Sequence, residues 1–198
     1  NDVYNQHSKV INSSQFINED EPAKDAYKQA IKDLESVIDK RTNPEMDPTV
    51  INNLTHQLEN AQNNLHGDQK LAQAKQDAAD TINGLTHLNT AQREAIINQN
   101  TNATTREQVK NNLDNAQALD QKMSSLNDVV ANKNNVLNSS KYLNEDSKYQ
   151  QPYNQTIADA EHLVNQSTNP TLDPNQVETI TNRVLATEKN LHLSLIHI

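Results

Sequence analysis

One stretch of this chain is copied further along it. Residues 3–66 align on 129–192 without a gap, at a constant offset of 126 residues, and 22 of the 64 positions are identical. Asn12-Ser13-Ser14 returns as Asn138-Ser139-Ser140, and Asn18-Glu19-Asp20 as Asn144-Glu145-Asp146. Thr42-Asn43-Pro44 and Asp47-Pro48 return as Thr168-Asn169-Pro170 and Asp173-Pro174, and Asn64-Leu65-His66 as Asn190-Leu191-His192. Phe16 becomes Tyr142, Ile17 Leu143 and Met46 Leu172. Residues 67–128 have no second copy, so the order is A–B–A. A fixed long period is the mark of an array, in which each repeat is one small supersecondary unit.

The spacing of apolar residues says what the units are. In A, Val3, His7, Val10, Ser14 and Ile17 fall at helical intervals. A second stripe follows Pro22 through Ala23, Ala26, Tyr27, Ala30, Ile31, Leu34, Val37 and Ile38. Asp47-Pro48 predicts a third start, with Asp capping and Pro in the first turn, ahead of Ile51, Leu54, Leu58, Ala61 and Leu65. Three one-sided helices hide their stripes in a three-helix bundle. In B, Leu71, Ala74, Ala78 and Ile82 mark one helix ending near Gly84. Thr90 is placed to cap a second, with Ala91, Ala95 and Ile96. Thr104-Thr105-Arg106-Glu107 reads as a capping box for a third, with Val109, Leu113, Ala116, Leu119 and Met123. Between Thr105 and Leu143 there is neither Gly nor Pro. One unbroken helix over that span is expected, and helix also across Leu65–Leu71 despite Gly67. The fold expected is all-α: tandem three-helix bundles joined by long shared helices into an elongated rod. The modules run 1–66, 67–128 and 129–192, and the apolar end 193–198 reads as a vector-derived tail.

Composition narrows the chemistry. Hydrophobic residues make up 33% of the 198, while 30 Asn and 18 Gln give a polar coat of little charge. A net charge of −9 is too weak over this length to enforce disorder. The three modules carry −5, −2 and −2, counting the tail with the last, so no basic stripe offers itself to nucleic acid. No apolar run reaches the ~18 residues of a membrane span. The start of the chain lacks a basic-then-apolar signal, which suits a mature chain or an internal fragment. With no Cys there is no disulfide framework, and with two Gly no glycine-rich phosphate loop.

Candidate sites are few. The seven histidines form no HExxH pair, and His192 and His197 lie five apart, a poor metal spacing. Glu19-Asp20-Glu21 could hold calcium but lacks the glycine and ligand spacing of a calcium loop, and acids at a helix start answer the helix dipole. Ser13 and Ser14 have no glycine elbow around them. Sequons such as Asn12-Ser13-Ser14 follow from the Asn content. Tyr27, Tyr153, Phe16 and Tyr142 read as packing residues. No catalytic set, cofactor site or metal site is expected.

Several boxes carry a resemblance. Asn-Ser-Ser-(Gln/Lys)-(Phe/Tyr)-(Ile/Leu)-Asn-Glu-Asp at 12–20 and 138–146, the Thr-Asn-Pro-x-x-Asp-Pro turn and the Asn-Leu-His ending resemble the FIVAR module. Leu71-Ala72-Gln73-Ala74-Lys75, Ile82-Asn83-Gly84-Leu85, Leu88-Asn89 and Ala116-Gln117-Ala118-Leu119-Asp120 resemble the GA module. Their alternation is similar to that of giant staphylococcal matrix-binding surface proteins. The resemblance implies a monomeric segment at the bacterial cell wall, binding fibronectin or another host matrix protein, and contacting neighbouring cells in biofilm. Two other roles stand beside it: a stalk without a ligand, which the expected shared helices and the lack of aromatic anchors favour, and albumin capture by B. The second helix of B, Ala91–Asn98, has none of the aromatic anchors that interfaces favour, which speaks against albumin. If B contributes a contact, Gln92 and Arg93 are the positions expected on the exposed side of that helix.

Overall fold

The computed structural model describes residues 2–38, 40 and 44–192, and among these every regular element is helical. The expected tail 193–198, and with it His197, lies outside the described residues. The chain forms two compact units.

The first unit comprises residues 1–77 and 103–109. It opens with α1 (Asp2–Asn5), α2 (His7–Ile11) and α3 (Ser14–Ile17), followed by α4 (Glu21–Ile38) and α5 (Pro48–Asn63). The single helix expected over Val3–Ile17 is broken at Ser13, which is extended (φ −79°, ψ 152°) and accepts a hydrogen bond from Phe16 N at 3.3 Å. A serine that bonds the backbone in this way competes with the helix ladder. The break swings Phe16 inward and leaves Ile17 exposed. Phe16 meets Tyr27 edge to face at 5.8 Å, and both join Ala30, Ile31, Leu34, Leu58 and Leu65 in the core. Asp47 caps α5 as expected, accepting from Thr49 N at 2.8 Å. Thr42 and Asn43 of the repeated turn lie outside the described residues.

Helix does not continue across Gly67. Asn64 ends α5, and α6 (Gly67–Gly84) starts anew. At the break Leu65 O accepts from Gln15 Nε2 and His66 N donates to Glu19, and this chain lies so near Gly67 that a Cβ there would be 2.8 Å from both Gln15 C and Glu19 N. The glycine is required by the chain passing beside it.

The second unit holds residues 78–102 and 110–198. It contains α7 (Thr90–Asn102), most of α8 (Arg106–Ala131), then α9 (Lys133–Leu137), α10 (Ser140–Leu143), α11 (Ser147–Val164) and α12 (Pro174–Lys189). The unbroken helix expected from Thr105 to Leu143 is interrupted. A turn falls at Asn132, where the backbone stays helical (φ −75°, ψ −12°). The true stop is Ser139, extended and capping Tyr142 N at 3.2 Å, the same device as Ser13. The caps of B also shift by one residue. Asn89, not Thr90, caps α7: Asn89 Oδ1 accepts from Gln92 N at 2.8 Å, and Gln92 Oε1 accepts from Asn89 N at 3.0 Å. At α8 the partner in the box is Gln108 rather than Glu107, with Gln108 N donating to Thr105 Oγ1 and Thr104 N to Gln108 Oε1. A single core runs through this unit from Ile82, Leu88 and Ile96 to Leu119, Met123 and Leu126, then Tyr153, Ile157, Val177, Val184 and Leu191.

Candidate functional site

Neither residue singled out on α7 is an exposed surface group. Gln92 is fully buried: its Nε2 donates to Thr171 O at 2.9 Å and faces Met123 Sδ at 3.4 Å. Arg93 is half-buried, its guanidinium donating to Leu85 O at 2.7 Å and to Leu88 O at 3.3 Å. Both polar side chains turn inward because they find partners there: Gln92 in the Asn89–Gln92 box and on Thr171 O, and Arg93 on the carbonyls that precede the helix. Among the described residues no cluster of His, Asp and Glu could hold a metal ion. Glu19 is occupied otherwise than by calcium, and the backbone N–H of His192 donates to Glu145.

The first unit instead gathers its polar side chains into a joint around the Asn18-Glu19-Asp20 box. Ser13 ends α2 and turns the box toward the start of α6 and toward residues 104–106. Asn18 donates to Thr104 O at 3.1 Å and accepts from Arg106 N at 2.8 Å. Arg106 reaches back to Asn18 O at 3.2 Å and to Asp20 Oδ1 at 2.6 Å. Glu19 is buried; it accepts from Asp20 N at 2.8 Å, from His66 N and from Lys70 Nζ. Lys70 also bonds Asp20 Oδ2 at 2.6 Å. Burial would raise the Glu19 pKa, but the hydrogen bonds from Lys70, Asp20 N and His66 N outweigh it and hold the carboxyl at about 2. Bonds from Lys70 and then Arg106 hold Asp20 at about 2 as well, while Asp20 and then Glu19 raise Lys70.

The second unit has a different joint, between B and the long turn of the second A copy. Asn89 Nδ2 donates to Leu163 O and Val164 O at 3.3 Å each, and Asn115 Nδ2 to Leu172 O at 3.0 Å. Lys122 pairs with Glu178 at 2.7 Å. The turn itself is shaped by Asn169, which takes a positive φ of 47°. Asn is among the few residues that accept this conformation readily. Asn-x-x-Gln at 89–92, in the uncopied B stretch, is a capping pattern and marks the B side of this joint. Its long-range bonds to 163–172 left no trace in sequence spacing.

What these arrangements offer chemically is cohesion. One concavity is an open, largely polar groove of about 490 Å³ lined by Glu161, His162 and residues 165–169. No described helix is long and apolar enough to cross a membrane.

Comparison with known proteins agrees with this build. The FIVAR domain model matches residues 1–66 and 122–192, and the GA module model matches 68–122. The extracellular matrix-binding protein ebh of Staphylococcus aureus strain NCTC 8325 is 45% identical over 180 residues, which are 91% of this chain and 2% of that protein. The chain thus spans a small part of the curated relatives it matches. A solved domain of EbhA from Staphylococcus aureus superposes with a TM-score of 0.86 at 26% identity, covering 98% of this chain and 78% of that one. A structure from the characterization of Embp-mediated Staphylococcus epidermidis adherence to fibronectin gives a TM-score of 0.61 at 34% identity, over 63% of this chain and 99% of that one. The chain belongs to the FIVAR family, with a GA module between two FIVAR repeats.

Proposed function

We propose that this chain is a repeat segment of a bacterial cell-surface adhesin. It binds host fibronectin through weak contacts made strong by repetition, and supports accumulation of cells in biofilm. The observation that carries the reading is its 34% identity to almost the whole of a chain studied for adherence to fibronectin. The extracellular matrix-binding name of the relatives supports the surface location. The reading includes the module boundaries 1–66, 67–128 and 129–192, the absence of catalysis, and a monomeric segment. It keeps α7 as the contact face on B, with half-buried Arg93 nearer its surface and Gln92 behind it.

Linked copies raise effective concentration, so an array gains avidity that a short segment lacks. Binding of the isolated chain is therefore micromolar or weaker. Surface plasmon resonance on immobilised fibronectin checks this, with Arg93→Ala run alongside. A flat response at ~100 μM, far above the micromolar range, overturns direct binding. That outcome would favour the second reading, a stalk that carries ligand sites elsewhere. One observation supports the stalk: the buried polar side chains of both joints are taken up by contacts between A and B. Albumin capture by B is the weakest alternative, since α7 offers no aromatic anchor, and an albumin pull-down decides it.

A further inference from the structure

Of the 30 asparagines in the chain, one alone, Asn83, is followed by glycine. The pair closes α6. Asn83 is exposed, and among the described residues no hydrogen bond holds its side-chain amide. Gly84 is exposed too, and a Cβ built on it meets nothing within 4 Å. The α-helical ladder ends here, for Leu85 N turns back to Ile82 O at 3.1 Å in the tighter pattern of a last turn. The amide carbon of Asn83 therefore neighbours a peptide nitrogen that no side chain shields, and that nitrogen is held only by the end of a helix.

Asn12 and Asn138, each followed by serine, are the restrained counterparts. Asn12 Nδ2 donates to Ser8 O at 2.7 Å, and Asn138 Nδ2 to Asn134 O at 2.9 Å. The backbone N–H that follows each is engaged as well, Ser13 N with Val10 O and Ser139 N with Val136 O, at 3.0 Å in both. Their side chains are tied back along the preceding helix, away from that nitrogen.

We propose that Asn83-Gly84 is a self-modification site, through which B ages by deamidation. Gly84 N gives up its proton and attacks Asn83 Cγ. The new C–N bond closes a succinimide ring, the bond from Cγ to the amide nitrogen breaks, and ammonia leaves with that proton. Water then adds to one of the two ring carbonyls. Opening on one side leaves aspartate at 83; opening on the other leaves isoaspartate, in which the side-chain carbons carry the chain onward. One amide and one water become one carboxylate and one ammonium, so no oxidant or cofactor takes part. The attack requires Gly84 to leave the helix. Loss of one ladder bond slows it roughly tenfold relative to the unfolded chain.

The product acts on α7. A carboxylate at the end of α6 faces the negative pole of the helix dipole. Isoaspartate also lengthens the backbone between buried Ile82 and Leu85. Leu85 O accepts the Arg93 guanidinium at 2.7 Å, so the longer backbone displaces an acceptor that seats α7. A modified chain holds α7 more loosely, whatever ligand the chain binds.

The test ages the full chain in warm, mildly alkaline buffer, alongside Gly84→Ala. Peptide mapping reads the unit mass gain at each asparagine, and enzymatic methyl transfer reads isoaspartate. Asn83 converts first, well ahead of Asn12 and Asn138, and Gly84→Ala brings it down to their level. Gly84→Ala leaves the fold intact, because the added methyl meets open space. Equal conversion at 83, 12 and 138, or ageing of Gly84→Ala at the original rate, overturns the site. The isoaspartyl form is then separated by ion exchange. Its amides from Ala91 to Ile96 exchange hydrogen faster than in the fresh chain, and its melting midpoint falls by roughly 2–4 °C. Unchanged protection of α7 in that form overturns the loosening.

Discussion

Glu19 is the residue through which the first unit answers to pH. Its carboxyl and that of Asp20 lie at about 2, below ordinary values of 4.5 and 3.8. The unfolded chain therefore binds protons more readily than the folded one across that interval. The stabilisation from these groups is complete above about pH 5 and is lost as pH falls through about 2. Lys70 has the opposite sense: its contribution is complete below its ordinary 10.5 and is lost only as pH rises beyond that. Thermal melts followed by circular dichroism should show the first unit weakening from pH 5 to 2.5. Glu19→Gln should flatten that slope and cost about 2 kcal/mol at pH 7, the usual worth of hydrogen bonds to a charged group. Gly67 is the other decisive residue. A methyl there meets the backbone of Gln15 and Glu19, whereas one at Gly84 meets nothing within 4 Å. Gly67→Ala should lower the midpoint by several degrees. Gly84→Ala should leave it unchanged or raise it slightly, since alanine is favoured over glycine in helix by up to ~1 kcal/mol.

At the scale of elements, the two copies act as controls for each other. Their long helices α4 and α11 are of equal length, 18 residues, and end in equivalent places. Yet α11 carries Pro152 in its interior where α4 has Ala26. A proline there removes one rung of the ladder and costs up to ~3 kcal/mol. Pro152→Ala should raise the denaturation midpoint of the second unit in urea, with no change in slope; a lower midpoint would mean that the proline shapes the packing of Tyr153. The stripes of α4, α5, α11 and α12 could be read from apolar spacing, as could the Asp47 and Asp173 caps, because both signals are local. The breaks at Ser13 and Ser139 were harder to see. Serine does not forbid helix, and only the packing of Phe16 on Tyr27, and of Tyr142 on Tyr153 at 6.1 Å, favours the break.

For the molecule as a whole, the boundary of sequence modules and the boundary of cores are different things. B has no core of its own in the second unit. Its Ile82, Ile96 and Leu119 belong to the same cluster as Tyr153, Ile157 and Val184 of the second A copy. Gln92 ties the two, with Thr171 O depending on it. Gln92→Ala leaves buried groups without partners, at a cost of about 1–3 kcal/mol. Hydrogen exchange should show amides near Ile96 and near Val184 losing protection together in that variant. Loss confined to α7 would mean that the two halves of this core unfold separately.

The sequence by itself determined the helical class, the A–B–A order and the family. Repeats, stripes and caps are written in neighbouring residues, and a helix needs little beyond them. It did not determine which polar residues are surface and which are joints. Gln92 and Asn18 look like any of the many amides of a polar coat, and only tertiary structure buries them, by bringing Thr171 and Arg106 from 79 and 88 residues away. Burial of a polar group is decided by the partner that satisfies it, and a distant partner leaves no mark on local spacing.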